Sequence, residues 1–374
     1  MDNLLIADRD PGEKRQGAGR RILVAMSGGV DSSVAALLLK EAGCDVAGIT
    51  MCLGFREGSG PVRCGGGDAI DDARRICDRL GIPHHVVDFN AEWEARIVNK
   101  FVAEYLRGRT PNPCVDCNRF LKFGALLDLT RAMGYESLAT GHYARIERTE
   151  SGFALCRARD AAKDQTYFLY PIAPADLGSI LFPLGDRTKD EVRAAAREAS
   201  LPVAEKAESQ DICFVTEGNY RKFILDRLGR DAAGQPGDIV DRQGRVVGRH
   251  QGLPAYTVGQ RSGLGISAPT PRYVLTMDVA GNRLVVGEKG DLLASGLWAG
   301  DLNLFQVPLP PEAKAGIRYR KRPVPCRLEI RDRRLRVLFS EPQEAVAPGQ
   351  AVVLYEGDRV LGGGVIEEAI HEND

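Results

Sequence analysis

The sequence predicts an α/β protein in which a parallel-sheet domain is followed by a small β-rich module and a C-terminal β-barrel. Short apolar segments alternate with helical ones as far as about residue 215, which is typical of a parallel sheet with helical crossovers. Beyond residue 234, glycines separate short β-prone segments. A chain of 374 residues has room for two or three domains at about 150 residues each. We predict a flexible tail over 1–20 and domains over 21–215, 216–280 and 281–374.

A glycine turn lies between the first predicted strand and helix. Residues 21–26 form a mainly apolar run, Ser27-Gly28-Gly29 follows it, and residues 34–39 continue as a helix that Gly43 ends. The same alternation predicts strands over 46–51, 84–89 and 137–140, and helices over 68–80, 92–107, 119–133, 189–199 and 220–228. Ligands of parallel sheets bind at the carboxyl ends of the strands. Ser27, Met51 and Gly141 each follow such an end.

The C-terminal part has a different composition. Eight glycines lie between Gly234 and Gly265, which indicates a small β-rich module. Further segments with strand character are expected to pair antiparallel and close into a small barrel: 273–277, 283–286, 326–330, 335–339 and 351–354.

Composition and charge exclude several classes of protein. Apolar residues make up 44% and charged residues 27%, an ordinary globular balance, and the net charge of -1 excludes a generally cationic nucleic-acid coat. No apolar run approaches the roughly 18 residues of a membrane span, and the first twenty residues contain no signal-peptide core. We therefore expect a cytoplasmic protein without a membrane partner. Nine cysteines then indicate reduced thiols rather than a disulfide framework.

The segment Ser27-Gly28-Gly29-Val30-Asp31-Ser32 has the features of a phosphate-binding loop. Backbone amides and the positive end of a helix dipole attract an anion, and the glycines let it approach closely. The serine hydroxyls are donors, and Asp31 is a candidate ligand for Mg²⁺. A Walker A loop would end in Gly-Lys-Ser/Thr, which this segment lacks. It resembles instead the pyrophosphate loop of the ATP pyrophosphatases (PP-loop enzymes), which split ATP between its α and β phosphates and adenylate a substrate.

Three cysteines are candidates for chemistry. Cys114 and Cys117 follow two prolines that we expect to prevent a helix before about Asn118, so the two thiols would lie at a helix amino end. A thiol in that position has a lowered pKa, and the thiolate is the reactive form. Cys213 lies far along the chain. A lone Cys-x-x-Cys is a weak signal for zinc, because a second ligand pair is not evident.

Taken together, these motifs resemble those of the bacterial tRNA-specific 2-thiouridylases, which have a PP-loop domain of the adenine-nucleotide α-hydrolase-like (HUP) class. The matching segments follow one another in family order from residue 22 to about 352. They are 26–32, 108–113 with Cys117-Asn118, 139–143, 163–165, 211–214, 257–261 and 317–320. A match spread over most of the chain is more specific than any single motif.

The resemblance implies roles for individual residues. Cys117 is implied to be the nucleophile and Cys213 to carry a persulfide. The implied ATP-binding residues are Ala25, Met26, Ser27, Gly28, Gly29, Val30, Asp31, Ser32, Met51 and Gly141. The implied tRNA contacts are Asn112, Pro113, Cys114, His142, Lys163, Asp164, Gln165, Arg318, Tyr319 and Gln350. It also implies 2-thiolation of the wobble uridine with ATP and Mg²⁺, the anticodon stem-loop of tRNA as substrate, and a sulfur donor such as a cysteine desulfurase or sulfur-relay protein.

One position departs from the family pattern. Many members have Asp where this chain has Cys114. With Cys117 and Cys213, Cys114 supplies three thiolates, the number that holds an iron–sulfur cluster with one open iron. Two sulfur chemistries therefore stay open at this point: a persulfide relay, and sulfide bound to a 4Fe–4S cluster.

A basic stretch between residues 310 and 340 is the best candidate for a phosphate-binding surface, because it contains ten basic residues and only three acidic ones.

Two other functions compete with tRNA thiolation. One is a PP-loop synthetase that adenylates a small molecule for amination, which needs neither paired cysteines nor a basic barrel. The other is an RNA-binding or sulfur-carrier protein with an inactive loop, against which the intact Asp31 and Ser32 argue. Pyrophosphate release with and without tRNA separates the three.

Overall fold

The structure is a computed structural model that describes residues 19–54, 67–207, 212–215, 220–229 and 234–371. Residues 1–18 of the predicted tail lie outside the described residues. The chain divides into two compact units: residues 1–94, 116–210 and 357–360 form the first, and residues 95–115, 211–356 and 361–374 form the second. The boundaries of the three predicted domains stay predictions.

The first unit contains a five-stranded, wholly parallel sheet with the strand order β3-β2-β1-β4-β7. Its strands are β1 (Arg21–Ala25), β2 (Asp45–Cys52), β3 (His84–Asp88), β4 (Ser137–Ala139) and β7 (Ile180–Leu181). The order reverses on either side of β1, so a crevice forms at the carboxyl ends of β1 and β4. The predicted strands are confirmed to within one residue at each end, and β2 extends one residue beyond Met51.

Helices α1 (Val30–Glu41), α2 (Gly67–Leu80) and α8 (Lys189–Glu198) pack on this sheet. Their apolar faces share one core with β1 and β2, in which Ile22, Val34 and Val192 are fully buried. The first unit also contains α3 (Asn90–Trp93), α6 (Leu126–Ala132) and α7 (Thr166–Leu169). An antiparallel hairpin of β5 (Arg145–Thr149) and β6 (Gly152–Cys156) was missed by the sequence analysis. Arg359 pairs with Cys156 of β6.

The helix that carries the paired cysteines begins earlier than predicted. Its first segment, α5 (Pro113–Asp116), is followed without a break by a π-helix over Cys117–Ala125 and then by α6. The expectation that the prolines exclude a helix is wrong, because Pro113 occupies the first helical turn, where a missing N–H costs nothing. Asn112 caps the turn: its Oδ1 accepts from the backbone N–H of Val115 at 3.4 Å.

The second unit holds α4 (Asn99–Leu106), α9 (Tyr220–Leu228) and two β structures. One is a four-stranded sheet in the order β10-β11-β8-β9, formed by β8 (Gly237–Val240), β9 (Val246–His250), β10 (Tyr273–Asp278) and β11 (Arg283–Gly287). The assignment of 273–277 and 283–286 to the barrel is therefore wrong. Those strands pair with each other, and β11 also pairs in parallel with β8.

The other β structure is a closed six-stranded barrel, which confirms the predicted fold class. It is formed by β12 (Leu293–Leu304), β13 (Glu312–Gly316), β14 (Val324–Arg331), β15 (Arg334–Glu344), β16 (Ala351–Glu356) and β17 (Arg359–Ile370). Pairing runs β12-β15-β14-β13-β16-β17, and β17 returns to pair with β12. Closure pairs the two terminal strands of the barrel, β12 and β17, with each other. Leu297, Val337 and Val352 are fully buried in its core.

No helix among the described residues is both long and apolar enough to span a lipid bilayer.

The barrel core yields a test. We expect Leu297→Ala to destabilise the barrel by about 2–5 kcal/mol, because the change removes buried methyl groups and leaves a cavity. Leu293→Ala, on the same strand but at a side chain 43% exposed, is the matched control and should have little effect. The measurement is amide hydrogen exchange of β12 and β15. Equal effects of the two changes would contradict the described orientation of β12.

Candidate active site

The glycine turn after β1 has the conformation that an anion-binding loop requires. Gly28 has φ +67, and a Cβ at this position would collide with the carbonyl oxygen of Ala69. Gly29 is the N-cap of α1, and no side chain in the described part of the chain caps that helix end. The first amides of α1 therefore keep their donor capacity, which, with the helix dipole, suits a phosphate.

A serine network holds the loop in this shape. The Ser32 hydroxyl lies 3.2 Å from both the backbone N and the Oγ of Ser27, and it donates to the carbonyl of Gly29 at 3.1 Å. Ser27 is exposed and Ser32 is buried, so Ser27 is the hydroxyl that faces solvent. Met26 and Val30 are buried in the core. Both were predicted to bind ATP, and because their side chains are buried, they can contact a ligand only through their backbone atoms.

Two predicted residues from later strands lie close to the loop. A Cβ at Gly141 would stand 2.6 Å from the backbone N of Ser32, so only glycine allows the turn after β4 to approach α1. Met51 lies near the carboxyl end of β2, which pairs in parallel with β1. The structure thus brings the loop and Gly141 together and places Met51 on the adjacent strand.

Asp31, the predicted magnesium ligand, forms an ion pair that the sequence analysis missed. Both of its carboxylate oxygens accept from Lys189 Nζ, at 2.8 and 2.9 Å, and its Oδ1 also accepts from the Tyr143 hydroxyl at 2.8 Å. Lys189 is only 7% exposed. The sequence contained one signal for this ion pair. A cation in the first turn of a helix is unfavourable because it opposes the helix dipole, so Lys189 at the start of α8 indicates a nearby counter-charge.

A second lysine that the sequence analysis missed reaches the loop. Lys206 Nζ donates to the carbonyl of Gly28 at 3.0 Å and to Asp72 at 2.7 Å. Ammonium groups from two separate segments therefore contact the loop or the helix start next to it. Each ammonium is paired with a carboxylate, so the attraction for an anion at this end of α1 comes from the exposed amides and the helix dipole.

The three candidate cysteines differ in exposure. Cys114 and Cys213 are exposed, and Cys117 is partly exposed at the start of the π-helix. Burial raises the pKa of the Cys117 thiol, the Lys122 ammonium lowers it, and the Asp116 carboxylate raises it again. The predicted lowered pKa is therefore wrong for Cys117, because desolvation of the thiolate outweighs the nearby charge.

The other cysteines have structural surroundings. Among the described residues, Cys44, Cys77, Cys156 and Cys326 are buried thiols, and Cys52 is disulfide-bonded. Within the described ranges, no three His, Cys, Asp or Glu side chains are arranged to hold a metal ion.

His142 is enclosed by aromatic rings and polar groups of the first unit. Its ring centroid lies 5.9 Å from that of Phe123 and 6.0 Å from that of Phe182. Its Nδ1 is 2.7 Å from Thr140 Oγ1, and its Nε2 is 3.3 Å from Lys122 Nζ. Burial and the Lys122 charge hold the pKa of His142 well below 6.5. The imidazole is thus neutral at neutral pH, and a tRNA contact through it would not rely on charge.

The predicted tRNA-contacting segment 163–165 supports the region around Tyr143. The Gln165 side chain accepts from the backbone N–H of Tyr143 through Oε1 at 2.9 Å. The backbone N–H of Gln165 donates to the Tyr143 carbonyl at 2.9 Å. Asp164 accepts from Arg157 Nε at 2.9 Å and from the Thr166 hydroxyl. Both side chains are bonded within the protein, so their described role is to fix the loop. Lys163 is half-buried beside them.

Sequence comparisons then place the chain among known proteins. Family models match residues 20–217 ("tRNA methyl transferase HUP domain"), 221–288 ("tRNA methyl transferase PRC-barrel domain") and 296–366 ("Aminomethyltransferase beta-barrel domain"). A tRNA-specific 2-thiouridylase MnmA 1 of Syntrophus aciditrophicus is 58% identical over 98% of this chain and 99% of its own length. The chain belongs to the tRNA-specific 2-thiouridylase family. The predicted resemblance is therefore confirmed.

Further 2-thiouridylase relatives agree over almost the whole chain. MnmA of Geobacter metallireducens is 50% identical over 95% of this chain and 99% of its own length. MnmA of Carboxydothermus hydrogenoformans is 46% identical over 94% of this chain and 98% of its own length. The match to the HUP model confirms the predicted class of the first domain, and the other two models cover the central sheet and the barrel.

The remaining 2-thiouridylase motif residues lie in the second unit. Gln350 Nε2 donates to the carbonyls of Thr110 and Pro111, at 2.9 and 3.3 Å, and so anchors the segment that leads to Asn112. Arg318 donates to the carbonyls of Glu344 and Ala345, at 3.1 and 2.7 Å. The Arg320 guanidinium lies over the Tyr319 ring at 5.4 Å.

The basic stretch of the barrel is partly neutralised. Arg334 pairs with Glu367 at 2.7 Å and Arg336 with Glu329 at 3.5 Å, and both guanidinium groups lie over the Trp298 ring. Glu367 lies outside residues 310–340, so a local count of charges overestimated the positive excess. The stretch is a weaker candidate for phosphate binding than its composition suggested.

The surroundings of His142 predict a pH dependence of stability. On unfolding, the imidazole regains a normal pKa near 6.5, so below that pH the unfolded chain binds a proton that the folded chain does not. Stability should fall as the pH drops below about 6.5, by up to roughly 1.4 kcal/mol per pH unit for this histidine. The pKa of His84 is lowered as well and adds to the slope. We expect His142→Asn to flatten the slope in urea unfolding.

His84→Asn is the matched comparison, because burial lowers the pKa of this histidine as well and its removal should flatten the slope separately. A wild-type slope retained by His142→Asn would show that this histidine is protonated in the folded protein.

Proposed function

We propose that this chain catalyses the ATP-dependent 2-thiolation of the wobble uridine of tRNA. The observation that carries the proposal is the 58% identity to a 2-thiouridylase over 98% of the chain. The conformation of the 27–32 loop and the thiols of Cys117 and Cys213 are consistent with it. The reaction needs these parts because the 2-carbonyl oxygen of uracil is a poor leaving group that must be activated before sulfur can replace it.

Activation is an adenylation. The uridine O2 attacks the α-phosphorus of ATP, the bond between the α-phosphorus and the bridging oxygen breaks, and pyrophosphate leaves. The amides of α1 and the Ser27 hydroxyl would bind the phosphates, with Gly141 and Met51 beside the adenosine. Lys189 and Lys206 are placed to offset the negative charge of the departing pyrophosphate.

Asp31 suits Mg²⁺ by type, because magnesium is held by one or two carboxylates together with phosphate oxygens. Both of its oxygens accept from Lys189 in the described structure. We propose that binding of ATP draws the Lys189 ammonium to a phosphate and leaves the Asp31 carboxylate to the ion. Mg²⁺ supplies charge neutralisation at the phosphates when bound.

Sulfur transfer then follows from the two cysteines. The terminal sulfur of a Cys213 persulfide attacks C2 of the adenylated uridine, and AMP leaves. The Cys117 thiolate attacks the Cys213 Sγ, the bond between Cys213 Sγ and the transferred sulfur breaks, and 2-thiouridine is released. The products are a Cys117–Cys213 disulfide, AMP and pyrophosphate. A dithiol reductant and a new persulfide from a sulfur donor protein, such as a cysteine desulfurase or a sulfur-relay protein, restore the enzyme.

The alternative order, in which Cys117 first attacks the persulfide and releases sulfide to the base, gives the same products. A cluster-bound sulfide is the second candidate for the sulfur source, favoured by the presence of Cys114 in place of the family's usual Asp. Within the described ranges no group of three His, Cys, Asp or Glu side chains could hold a metal ion, and the persulfide relay needs no cluster. We propose a cytoplasmic site of action, the anticodon stem-loop as the bound part of tRNA, and the domain boundaries predicted from the sequence.

The two sulfur chemistries make different predictions for Cys114. In a strain lacking this gene, plasmid-borne Cys117→Ser and Cys213→Ser should lower tRNA 2-thiouridine by roughly two orders of magnitude or more, because each removes a reacting sulfur. Cys114→Ser should retain thiolation within a few fold under the persulfide relay, whereas a cluster would lose a ligand. Nucleoside mass spectrometry of total tRNA is the measurement.

Cys44→Ala, at a buried thiol outside the proposed chemistry, is the control. Loss of 2-thiouridine in Cys114→Ser together with iron in anaerobically purified protein would favour the cluster. Unchanged 2-thiouridine in the strain without the gene would overturn the proposed function. Methylated uridine in place of the thiolated base would favour tRNA methyl transfer, the activity after which the matching family models are named.

Lys189 gives a separate prediction for the ATP step. Lys189→Met removes a charge-assisted bond worth about 1.5–3 kcal/mol, so we expect the KM for ATP to rise about 10- to 100-fold in a tRNA-dependent pyrophosphate release assay. Lys189→Arg should recover part of the loss. Lys40→Met, at an exposed lysine in the last turn of α1, should behave like the wild type. A lowered melting temperature with an unchanged KM would make Lys189 a purely structural residue.

A further inference from the structure

A turn of the barrel, Pro348-Gly349-Gln350, binds the backbone of the segment that leads to the paired cysteines. The backbone N–H of Thr110 donates to the carbonyl of Pro348 at 2.8 Å. Gln350 Nε2 donates to the carbonyls of Thr110 and Pro111, at 2.9 and 3.3 Å. Both segments belong to the second unit, although 240 residues separate Thr110 from Gln350. We call residues 348–350 the clamp turn.

Gly349 is the residue that allows this close approach. It is buried and has φ +92, and a Cβ at this position would stand 2.9 Å from both the backbone N and the carbonyl oxygen of Thr110. Residues with a side chain rarely adopt such a φ, and here the Thr110 backbone already occupies the space that a Cβ needs. The Thr110 backbone is itself bonded to the clamp turn on its N–H and on its carbonyl. A side chain at position 349 would therefore push this segment away.

The clamp turn has a firm support in β17. The Gly349 N–H donates to the carbonyl of Ile366 at 2.8 Å, and the Ile366 N–H donates to the carbonyl of Gln350 at 2.8 Å. The Arg109 guanidinium donates to the same Ile366 carbonyl at 3.3 Å and pairs with Glu104 of α4 at 2.7 Å. The segment before the cysteines is thus joined to two regular elements, α4 and the barrel.

The bound residues immediately precede the helix that carries the paired cysteines. Asn112 starts this helix, because its carbonyl and its Oδ1 accept from the Val115 N–H at 3.1 and 3.4 Å. The carbonyl of Pro111, which Gln350 binds, belongs to the peptide plane that ends at the Asn112 N. Because that plane is rigid, a shift of the Pro111 carbonyl also moves Asn112 and changes the start of the helix.

We propose that Gly349 and Gln350 are positioning residues for thiolation, which hold the backbone of residues 110–111 and thereby set the start of the helix that carries Cys117. The proposal rests on the proposed function, in which Cys117 is a reacting group. The implied tRNA contact of Gln350 is compatible with it, because the clamp uses the donor Nε2 whereas an RNA donor would use the acceptor Oε1. Neither positioning residue takes part in bond making or breaking.

Amide hydrogen exchange tests the clamp in the full-length protein without tRNA or ATP. Gly349→Ala places a methyl group against the Thr110 backbone, so the Val115 amide should exchange about tenfold faster or more, while the amides of β15 keep their rates. Gly357→Ala is the matched control, because Gly357 also has a positive φ, +57, in a turn of the barrel, but a Cβ there meets nothing within 4 Å. It should leave the Val115 amide at the wild-type rate.

Steady-state kinetics test whether the clamp positions reacting groups. A displacement of about 1 Å costs up to about 100-fold in rate, so Gly349→Ala should lower kcat for 2-thiouridine formation by about 10- to 100-fold. Its Kd for tRNA and its KM for ATP should stay close to those of the wild type. Gln350→Met removes the donor at nearly constant length without straining the backbone, and it should also lower kcat and speed exchange of the Val115 amide.

The inference would be overturned if Gly349→Ala and Gln350→Met matched Gly357→Ala in kcat and in Val115 exchange. A raised Kd for tRNA in Gln350→Met, with kcat and exchange unchanged, would also overturn it, because Gln350 would then be a tRNA contact alone. If Gly349→Ala does not fold, Gln350→Met decides between these outcomes. Failure of the proposed function would show differently, as absence of 2-thiouridine formation by the wild-type protein.

Discussion

An ammonium group that has been taken out of water needs a counter-charge, and the first unit is organised around one such group. Lys189 is almost fully buried at the start of α8, and Asp31 in the first turn of α1 binds it through both carboxylate oxygens. Lys189 left alone would carry a large desolvation cost, because its side chain is only 9% exposed. The Tyr143 hydroxyl adds a third bond from the turn after β4. The ion pair therefore fixes three elements around the carboxyl ends of β1 and β4, where the phosphate-binding loop opens.

The same constraint explains why the loop is preorganised and still able to respond to a ligand. The Ser32 hydroxyl holds the backbone of Ser27 and Gly29 through bonds that a phosphate does not need to break. The Lys189–Asp31 pair is different, because a magnesium–nucleotide complex offers a new partner to each residue. A phosphate oxygen can pair with the Lys189 ammonium, and Mg²⁺ can pair with the Asp31 carboxylate. When these two pairs replace the Lys189–Asp31 ion pair, neither side chain is left as an unpaired charge. The free-energy cost of the exchange is therefore small.

The sequence predicted those features whose cause is local. The loop could be found because glycines, hydroxyls and a strand–helix junction lie within a few residues, and the parallel strands because each is a short apolar run before a helix. Lys189 could not be paired with Asp31, because 158 residues separate them. Strands 273–278 and 283–287 were found but assigned to the wrong sheet, since alternation identifies a strand and not its partner. The π-helix was missed because its hydrophobic pattern differs little from that of an α-helix.

The raised pKa of Cys117 is compatible with its proposed role as nucleophile. For each unit by which a thiol pKa exceeds ambient pH, the thiolate fraction falls about tenfold. The intrinsic nucleophilicity rises by about threefold at a Brønsted coefficient of about 0.4–0.5, which leaves a net loss of only about three- to fourfold per unit. A thiol kept protonated is also less readily oxidised or captured by metal ions. Partial burial thus keeps the Cys117 thiol protonated at a modest cost in rate, and the charge of Lys122 reduces that cost.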